Sequence, residues 1–427
     1  MATKTGRGHA LRGRLLLSSS ADSRRLLIPI MKVEPRIKGF LCTTSHPEGC
    51  AIDVKNQIDV AKQAGPISGS PKKVLVIGSS GGYGLASRIT AAFGCNAATV
   101  GVFYERPGSA RRSGTPGWYK SAAFSQQARE AGLYATDLNG DGFSPEVKQA
   151  TIEVIKRDLG QVDMVVYSIA SPARELPDGS FVRSSLKPIG ETFEGGSINL
   201  TTGVMRGISI EPATQQEIDD TVKVMGGEDW ESWIAALLEA GVLAEGCITT
   251  NYAYLGSDVT WPIYHHGTIG KAKDDMDRAA VALQGPMASI NGRAYVAVMK
   301  GIMTKGGSAI PTMSIYLSLL FKVMKAKGTH EECIHQTNRL FNKLFVDDDL
   351  KLDEVGRLRL DDWELSEDVQ GFIRDTRPQL TTENLNELSD FAGCRRSFLQ
   401  MHGFDFPGVD YEAEIDPIVS MPLEYGG

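Results

Sequence analysis

Two stretches of the chain carry residues suited to proton and hydride chemistry. Between Tyr252 and Lys273 stand Tyr254, Tyr264 and Lys273, the last two in a Y-x8-K spacing. A tyrosine hydroxyl beside a reacting carbonyl or thioester can give up a proton or stabilise an oxyanion. A neighbouring ammonium can hold ribose hydroxyls and lower the phenol pKa. The same residues also read as two packing aromatics and one solvated charge among Lys271, Asp274 and Asp275. The second stretch sets Gly78, Gly82 and Gly84 between an apolar run and an Ala- and Ile-bearing one. Glycine lets a backbone turn sharply against a pyrophosphate, and the helix that follows presents free N–H groups and its positive dipole end. Turns and close packing favour glycine too, so the placement between strand and helix supplies the specificity. Glu105 lies about twenty residues beyond the turn, where a carboxylate can accept from adenosine ribose hydroxyls and repel a 2′-phosphate. This predicts NADH in preference to NADPH, the alternative being a solvated acid paired with Arg106.

The elements that must position these groups alternate. Lys73–Ile77 reads as a buried strand, 78–84 as a tight turn, and Leu85–Phe93 as a helix. Thr99–Tyr104, Leu133–Leu138 and Val162–Ile169 supply further strands, with a helix over Pro145–Asp158. Such alternation predicts an α/β fold with a parallel sheet. Upstream, Cys42–Gly49 reads as irregular leader and Val54–Gln63 as a helix. Ser171–Glu211, rich in Gly, Ser, Thr and Pro, reads as an insertion covering the site. Thr214 and Glu217 form a capping-box pattern, and Asp229–Ala240 is an amphipathic helix stopped by Gly241. A helix over Ile269–Leu283, a strand over Ala294–Met299 and a buried helix over Ile315–Lys325 follow. The remainder is largely helical to about Gly403, with an acidic tail.

Bulk properties narrow the function classes. A formal charge of -7 over 427 residues argues against a nucleic-acid surface. No apolar run approaches the roughly 20 residues of a membrane span. Six scattered cysteines do not form a disulfide framework, which fits a reducing compartment and a cytoplasmic enzyme. Cys42, His46 and Cys50 offer only three ligands where structural zinc wants four, so no metal is expected. Residues 1–30 are basic and Ser-rich and read as a disordered extension; a mitochondrial transit peptide, which would place the protein in the matrix, and a start at Met31 are the alternatives.

Several stretches together carry a resemblance: PRIKGFLCTTSHPEGC from Pro35, KKVLVIGSSGGYGLASRITAAFG from Lys72, KVMGGEDWESWIAALLEAGVLAEG from Lys223, TWPIYHHGTIGKAK from Thr260 and DFAGCRRSFLQMHGF from Asp390. The chain from Met31 onward closely resembles the trans-2-enoyl-CoA reductase family, whose bacterial members include FabV-type enoyl-[acyl-carrier-protein] reductases. The resemblance implies an extended Rossmann-type, short-chain-reductase-like monomer. Residues 31–427 would form a single catalytic domain, with a nucleotide- and substrate-binding core at 71–330 and a helical C-terminal addition at 331–427. It implies NADH-dependent reduction of an enoyl thioester carried on CoA or acyl-carrier protein, in fatty acid biosynthesis. Tyr264 would be the proton donor and Tyr254 a substrate contact. Gly78, Ser79, Ser80, Gly81, Gly82 and Tyr83 would hold the pyrophosphate, Tyr104 and Glu105 the adenosine, and Asp141 and Gly142 the adenine edge. Ile169 and Ala170 would flank the nicotinamide, Lys273 would grip the ribose, and Ile302, Met303 and Thr304 would form the last cofactor loop. The helix from Ile315 would line the acyl pocket. One departure stands out: Lys305, Gly306, Gly307 and Ser308 replace the family's usual Gln-Ala-Ser-Ser, adding charge and backbone freedom.

Two other readings share these residues. An NAD(P)H-dependent 3-oxoacyl thioester reductase would use Ser168 beside the Tyr/Lys pair. A non-catalytic NAD-binding regulator would bind cofactor without turnover.

Overall fold

A computed structural model describes residues 30–426 apart from Pro311 and Asp348; the basic stretch 1–29, with the expectations placed on it, lies outside the described residues. The run Lys73–Ile77 buries Val74, Leu75, Val76 and Ile77 completely, so both faces of this strand need cover. A parallel sheet with helices on each side provides it. Seven strands make that sheet: β1 (Lys73–Ile77), β2 (Ala98–Phe103), β3 (Ala135–Asn139), β4 (Val162–Tyr167), β5 (Leu243–Ala253), β6 (Arg293–Val298) and β7 (Leu358–Arg359). Their spatial order is β7-β6-β5-β4-β1-β2-β3, every pair parallel. The order reverses between β1 and β4, and the loops leaving those two strands part to opposite sides. A crevice opens at their C-terminal ends, where such sheets bind ligands.

The helices are α1 (Pro47–Gln63), α2 (Gly82–Ile89), α3 (Pro116–Glu130), α4 (Pro145–Val154), α5 (Gln215–Met225), α6 (Glu228–Glu239), α7 (Thr268–Ala288), α8 (Lys305–Ala309), α9 (Met313–Lys327), α10 (Cys333–Phe345), α11 (Glu367–Thr376), α12 (Leu385–Leu388) and α13 (Phe391–Gln400). One face of the sheet, through Leu75, Ile77 and Val165, packs on α6 and α7 around Trp230 and Trp233. The other, through Val74, Val76 and Val166, packs on Leu340 and Phe341 of α10. A third core stands apart from the sheet, built on α9 and the C-terminal helices, and it contains Tyr264.

The expected strands and helices are present with shifted ends. The helices expected over Leu85–Phe93 and Pro145–Asp158 each finish in a π-type turn, at Thr90–Gly94 and Ile155–Leu159. Helix α1 begins at Pro47, inside the stretch read as irregular leader, because His46 caps it and Pro47 suits its first turn. Ser171–Glu211 folds as two antiparallel hairpins, Ala173–Glu175 with Phe181–Arg183 and Phe193–Ile198 with Met205–Ile210. Strand β5 and helix α3 have no counterpart in the sequence reading. The β5 run is broken by exposed Glu245 and by Gly246 at φ +75, and its buried part carries Thr249, Thr250 and Asn251. The acidic tail is pinned, Val419 accepting from the Trp118 indole and Pro417 from the Tyr119 hydroxyl.

Candidate active site

At the end of β1, Gly78 (φ +88) and Gly82 (φ +53) occupy the left-handed region that favours glycine. A Cβ on Gly78 would lie 2.3 Å from the Ser168 carbonyl, and one on Gly84 2.0 Å from the Gly78 carbonyl. These two glycines let α2 close onto β1 and β4. Gly81 is different: nothing stands within 4 Å of where its Cβ would be. That opening, facing the first-turn N–H groups of α2 that have no intrahelical acceptor, is a cradle fit for a pyrophosphate.

Gly78 and Ser79, expected at the pyrophosphate, make their hydrogen bonds to β2. Both backbone N–H groups donate to Val102 O, at 2.8 and 3.0 Å, and the buried Ser79 hydroxyl donates to the same carbonyl. Their donors are engaged within the fold, while the N–H groups of Ser80, Gly81 and, in the first turn of α2, Gly82 to Gly84 have no acceptor among the described residues. The Ser80 hydroxyl donates to Glu105 Oε1 at 2.8 Å, and the Tyr83 hydroxyl to Lys300 O at 2.8 Å.

Glu105 follows β2 and is held by Asn139, whose side chain accepts from its N–H (2.8 Å) and donates to its carbonyl (3.0 Å). Asn139, at the end of β3, was not singled out in the sequence; its signal is a polar residue closing a strand beside the cofactor end. Arg106 does not pair with Glu105: its guanidinium donates to Ser113 O and its N–H to Thr115. Tyr104 is 77% exposed, an open aromatic face just past the C-terminal end of β2. Asp141 accepts from the Phe143 N–H at 3.0 Å, and Gly142 O from the Trp233 indole at 2.9 Å. A Cβ on Gly142 would meet Ile169 Cδ1 at 2.8 Å, so these two expected cofactor positions adjoin.

Tyr254 follows β5, Tyr264 lies in the turns before α7, and Lys273 is on α7. The two tyrosine rings meet edge to face with centroids 5.0 Å apart. Tyr264 is 6% exposed, and burial alone pushes its hydroxyl up. Lys273 does not lower it, contrary to the expectation from spacing. Its ammonium instead donates to Tyr252 O at 3.1 Å and burial pushes it down to about 8. Tyr264 is therefore a protonated acid at neutral pH. The loop after β6 joins these parts: Thr304 Cγ2 lies 3.7 Å from the Cβ position of Gly82, while Met303 packs in the cluster containing Tyr264. The Lys305–Ser308 departure forms the short helix α8, capped by Thr304 accepting from Gly307 N–H.

Glu364, between β7 and α11, escaped the sequence reading altogether. It is fully buried, and Oε1 accepts from the hydroxyls of Tyr254 (3.0 Å) and Tyr316 (2.6 Å) while Oε2 accepts from Gly301 N–H (2.6 Å). Nothing in the local sequence DDWEL marks it among its acidic neighbours. Ser168 is packed under the glycine turn, its Cβ 3.2 Å from the Cβ position of Gly84. Of the cysteine group, His46 caps α1 by accepting from Gly49 N–H, Cys50 is buried, and Cys42 donates to Thr44 O.

Comparison with known proteins matches this geometry to one family. Residues 112–345 match the model described as the trans-2-enoyl-CoA reductase catalytic region, and residues 32–110 its NAD(P)H binding domain. The chain belongs to the trans-2-enoyl-CoA reductase family. Similar proteins include the enoyl-[acyl-carrier-protein] reductase [NADH] of Edwardsiella ictaluri, 53% identical over 92% of this chain and 99% of that one. The Shewanella piezotolerans protein of the same name is 54% identical over the same shares. Among solved structures, the Clostridium acetobutulicum trans-2-enoyl-CoA reductase in complex with NADH is 41% identical with a TM-score of 0.88, over 91% of this chain and 98% of that one. The Treponema denticola trans-2-enoyl-CoA reductase in complex with NAD is 45% identical with a TM-score of 0.87, over 92% and 100%.

Residues 352–415 match a third model, described as an enoyl reductase FAD binding domain. Here that segment does not fit a flavin dinucleotide. Its β7 is two residues long and runs into Leu360–Glu364 with no glycine turn before α11. Its apolar residues Val369, Ile373, Leu385 and Phe398 are spent in the core that holds Tyr264. The segment supplies the wall and the Glu364 carboxylate of the site.

Proposed function

We propose that this chain catalyses NADH-dependent reduction of the C2–C3 double bond of trans-2-enoyl thioesters, on CoA or acyl-carrier protein, to saturated acyl thioesters in fatty acid biosynthesis. The observation that carries this reading is the buried, protonated Tyr264, set against Tyr254 and joined through Met303 and Thr304 to an open glycine cradle. NADH, when bound, supplies the hydride that adds to C3. The free N–H groups from Gly82 to Gly84 hold its phosphates, Glu105 and Tyr104 its adenosine, and Lys273 its second ribose. Hydride addition places negative charge on the thioester oxygen, and Tyr264 is positioned to donate its proton there. A donor aimed at that developing charge is worth a few kcal/mol of barrier. The apolar face of α9 lines the acyl side. The proposed working unit is a monomer. Six free cysteines fit a reducing compartment, and we place the reaction in the cytoplasm.

Ser168, the serine that a 3-oxoacyl reductase reading needs, is packed under the glycine turn. The test is NADH consumption with crotonyl-CoA against acetoacetyl-CoA. Turnover is expected with the first alone, and Tyr264→Phe should lower it by about a hundredfold with NADH affinity retained. Binding of NADH with no turnover on either thioester would make the chain a regulator instead. Crotonyl groups on CoA and on acyl-carrier protein, compared at equal concentration, identify the carrier.

A further inference from the structure

A neutral tyrosine has one proton to donate, and the structure shows where each tyrosine at this site spends it. Glu364 backbone O accepts from Gln370 Nε2 at 2.7 Å, which fixes the Gln370 amide nitrogen on that side. The same nitrogen donates to the Tyr316 hydroxyl at 3.1 Å, so the Tyr316 proton is left to point at Glu364 Oε1, 2.6 Å away. Gly301 N–H, a backbone donor that cannot reverse, occupies Oε2. As a carboxylate, Glu364 can only accept, so the Tyr254 hydroxyl at 3.0 Å donates to Oε1 as well. Burial pushes the Glu364 carboxyl up, and the buried Lys300 ammonium with the donors from Tyr316 and Gly301 opposes that rise and favours the carboxylate. The packing leaves little freedom, since a Cβ on Gly301 would lie 3.2 Å from both Glu364 Oε1 and the Tyr254 hydroxyl. The Tyr264 hydroxyl, 6% exposed as a residue, has no hydrogen-bond partner among the described residues.

We infer that Glu364 is a positioning residue of the reductase site: it accepts the hydrogen bond of the Tyr254 hydroxyl, holds that ring against Tyr264, and leaves Tyr264 as the tyrosine whose proton is free for the substrate oxygen. This rests on the enoyl reductase reading and deepens it. Tyr254 and Tyr264 are alike in type and face the same site, and the carboxylate behind one of them decides which is the acid.

The assignment makes an unusual demand of Glu364→Gln. Because Gly301 N–H cannot reverse, the amide oxygen of the new side chain turns toward Gly301 and its NH2 toward the tyrosine hydroxyls. Tyr254 then becomes an acceptor on that side, and its own proton is released toward the substrate. The experiment measures kcat, KM for crotonyl-CoA and NADH affinity by fluorescence titration in wild type, Tyr264→Phe, Glu364→Gln and the double variant. Tyr264→Phe alone should be the severe loss. Glu364→Gln alone should lower kcat by about tenfold or less with NADH affinity unchanged. The double variant should turn over faster than Tyr264→Phe, by about tenfold, as the freed Tyr254 proton substitutes for the missing one. A double variant as slow as Tyr264→Phe, or slower by the product of the two single losses, overturns the inference. Tyr254→Phe gives a second measurement without altering Glu364. It should cost much less kcat than Tyr264→Phe, and an equal or greater loss overturns the inference too. Failure of the enoyl reductase reading is separable, because it shows in the wild type as no NADH consumption with crotonyl-CoA.

Discussion

The Ser80 hydroxyl donates to Glu105 Oε1 across 2.8 Å, tying the glycine turn to the end of β2. The first turn of α3 closes over the same carboxylate, and a Cβ on Gly117 would stand 2.1 Å from Oε1. Glu105 is thus held in place with an orientation set by three elements, ready for the ribose it is proposed to bind.

Removing that carboxylate should relax the choice of cofactor. Glu105→Ala is expected to move the NADPH-to-NADH ratio of kcat/KM toward NADPH by about ten- to a hundredfold, the worth of hydrogen bonds to a charged group. Gly117→Ala, which displaces the carboxylate but keeps it, should move the ratio the same way by less. Steady-state kinetics with both cofactors checks this, and an unchanged ratio in Glu105→Ala would remove Glu105 from the adenosine site.

The glycines of the turn should separate into two kinds. Gly84→Ala forces a methyl against the Gly78 carbonyl and is expected to destabilise the fold by about 1–3 kcal/mol, the usual cost of overpacking. Gly81 has an extended backbone, φ -168, that any residue adopts, and open space beside it. Gly81→Ala should change stability by less than about 0.5 kcal/mol yet raise the KM for NADH several-fold. Thermal melts and cofactor titrations read the two effects apart; normal NADH affinity in Gly81→Ala would mean that the cradle lies elsewhere.

The proposed role of Lys273 at the ribose makes the cofactor grip depend on pH. Burial lowers its ammonium from the ordinary 10.5 to about 8, so below that value the charge is present and above it the charge is lost. The expected profile of kcat/KM for NADH falls as pH rises through about 8, and Lys273→Arg, which stays charged, should shift the fall upward. Stability runs the other way. Between about 8 and 10.5 the unfolded chain holds a proton that the folded protein has shed, so this group's contribution to stability rises with pH across that window. A profile flat to pH 10 would show that the ammonium does not hold the ribose.

Most of the nucleotide half of this protein was readable as sequence because its signals are local. A β-branched run, a glycine turn and a helix, followed by an acid after the next strand, each depend on residues close in the chain, and β1, β2 and Glu105 stand where that pattern puts them. Strand β5 was not readable, since its buried part carries polar Thr249 and Asn251, which partners satisfy only in the fold, Thr249 accepting from the Trp230 indole and Asn251 from the Tyr252 N–H. Nor could the sequence show that the Ser79 donors turn to Val102, which approaches only in the folded sheet.

The sequence by itself determined the reaction class, through Tyr254, Tyr264, Lys273, the glycine turn and the stretches that carry the family likeness. It could not apportion the work between the two tyrosines, because a hydroxyl's availability depends on what else stands within hydrogen-bond reach. That was decided by Glu364, which lies far along the chain from Tyr254 and meets it only because β7 joins the sheet edge beside β6 and carries the following turn into the core. Types and spacing fix what a side chain can do; burial and the direction of its proton fix what it is left free to do.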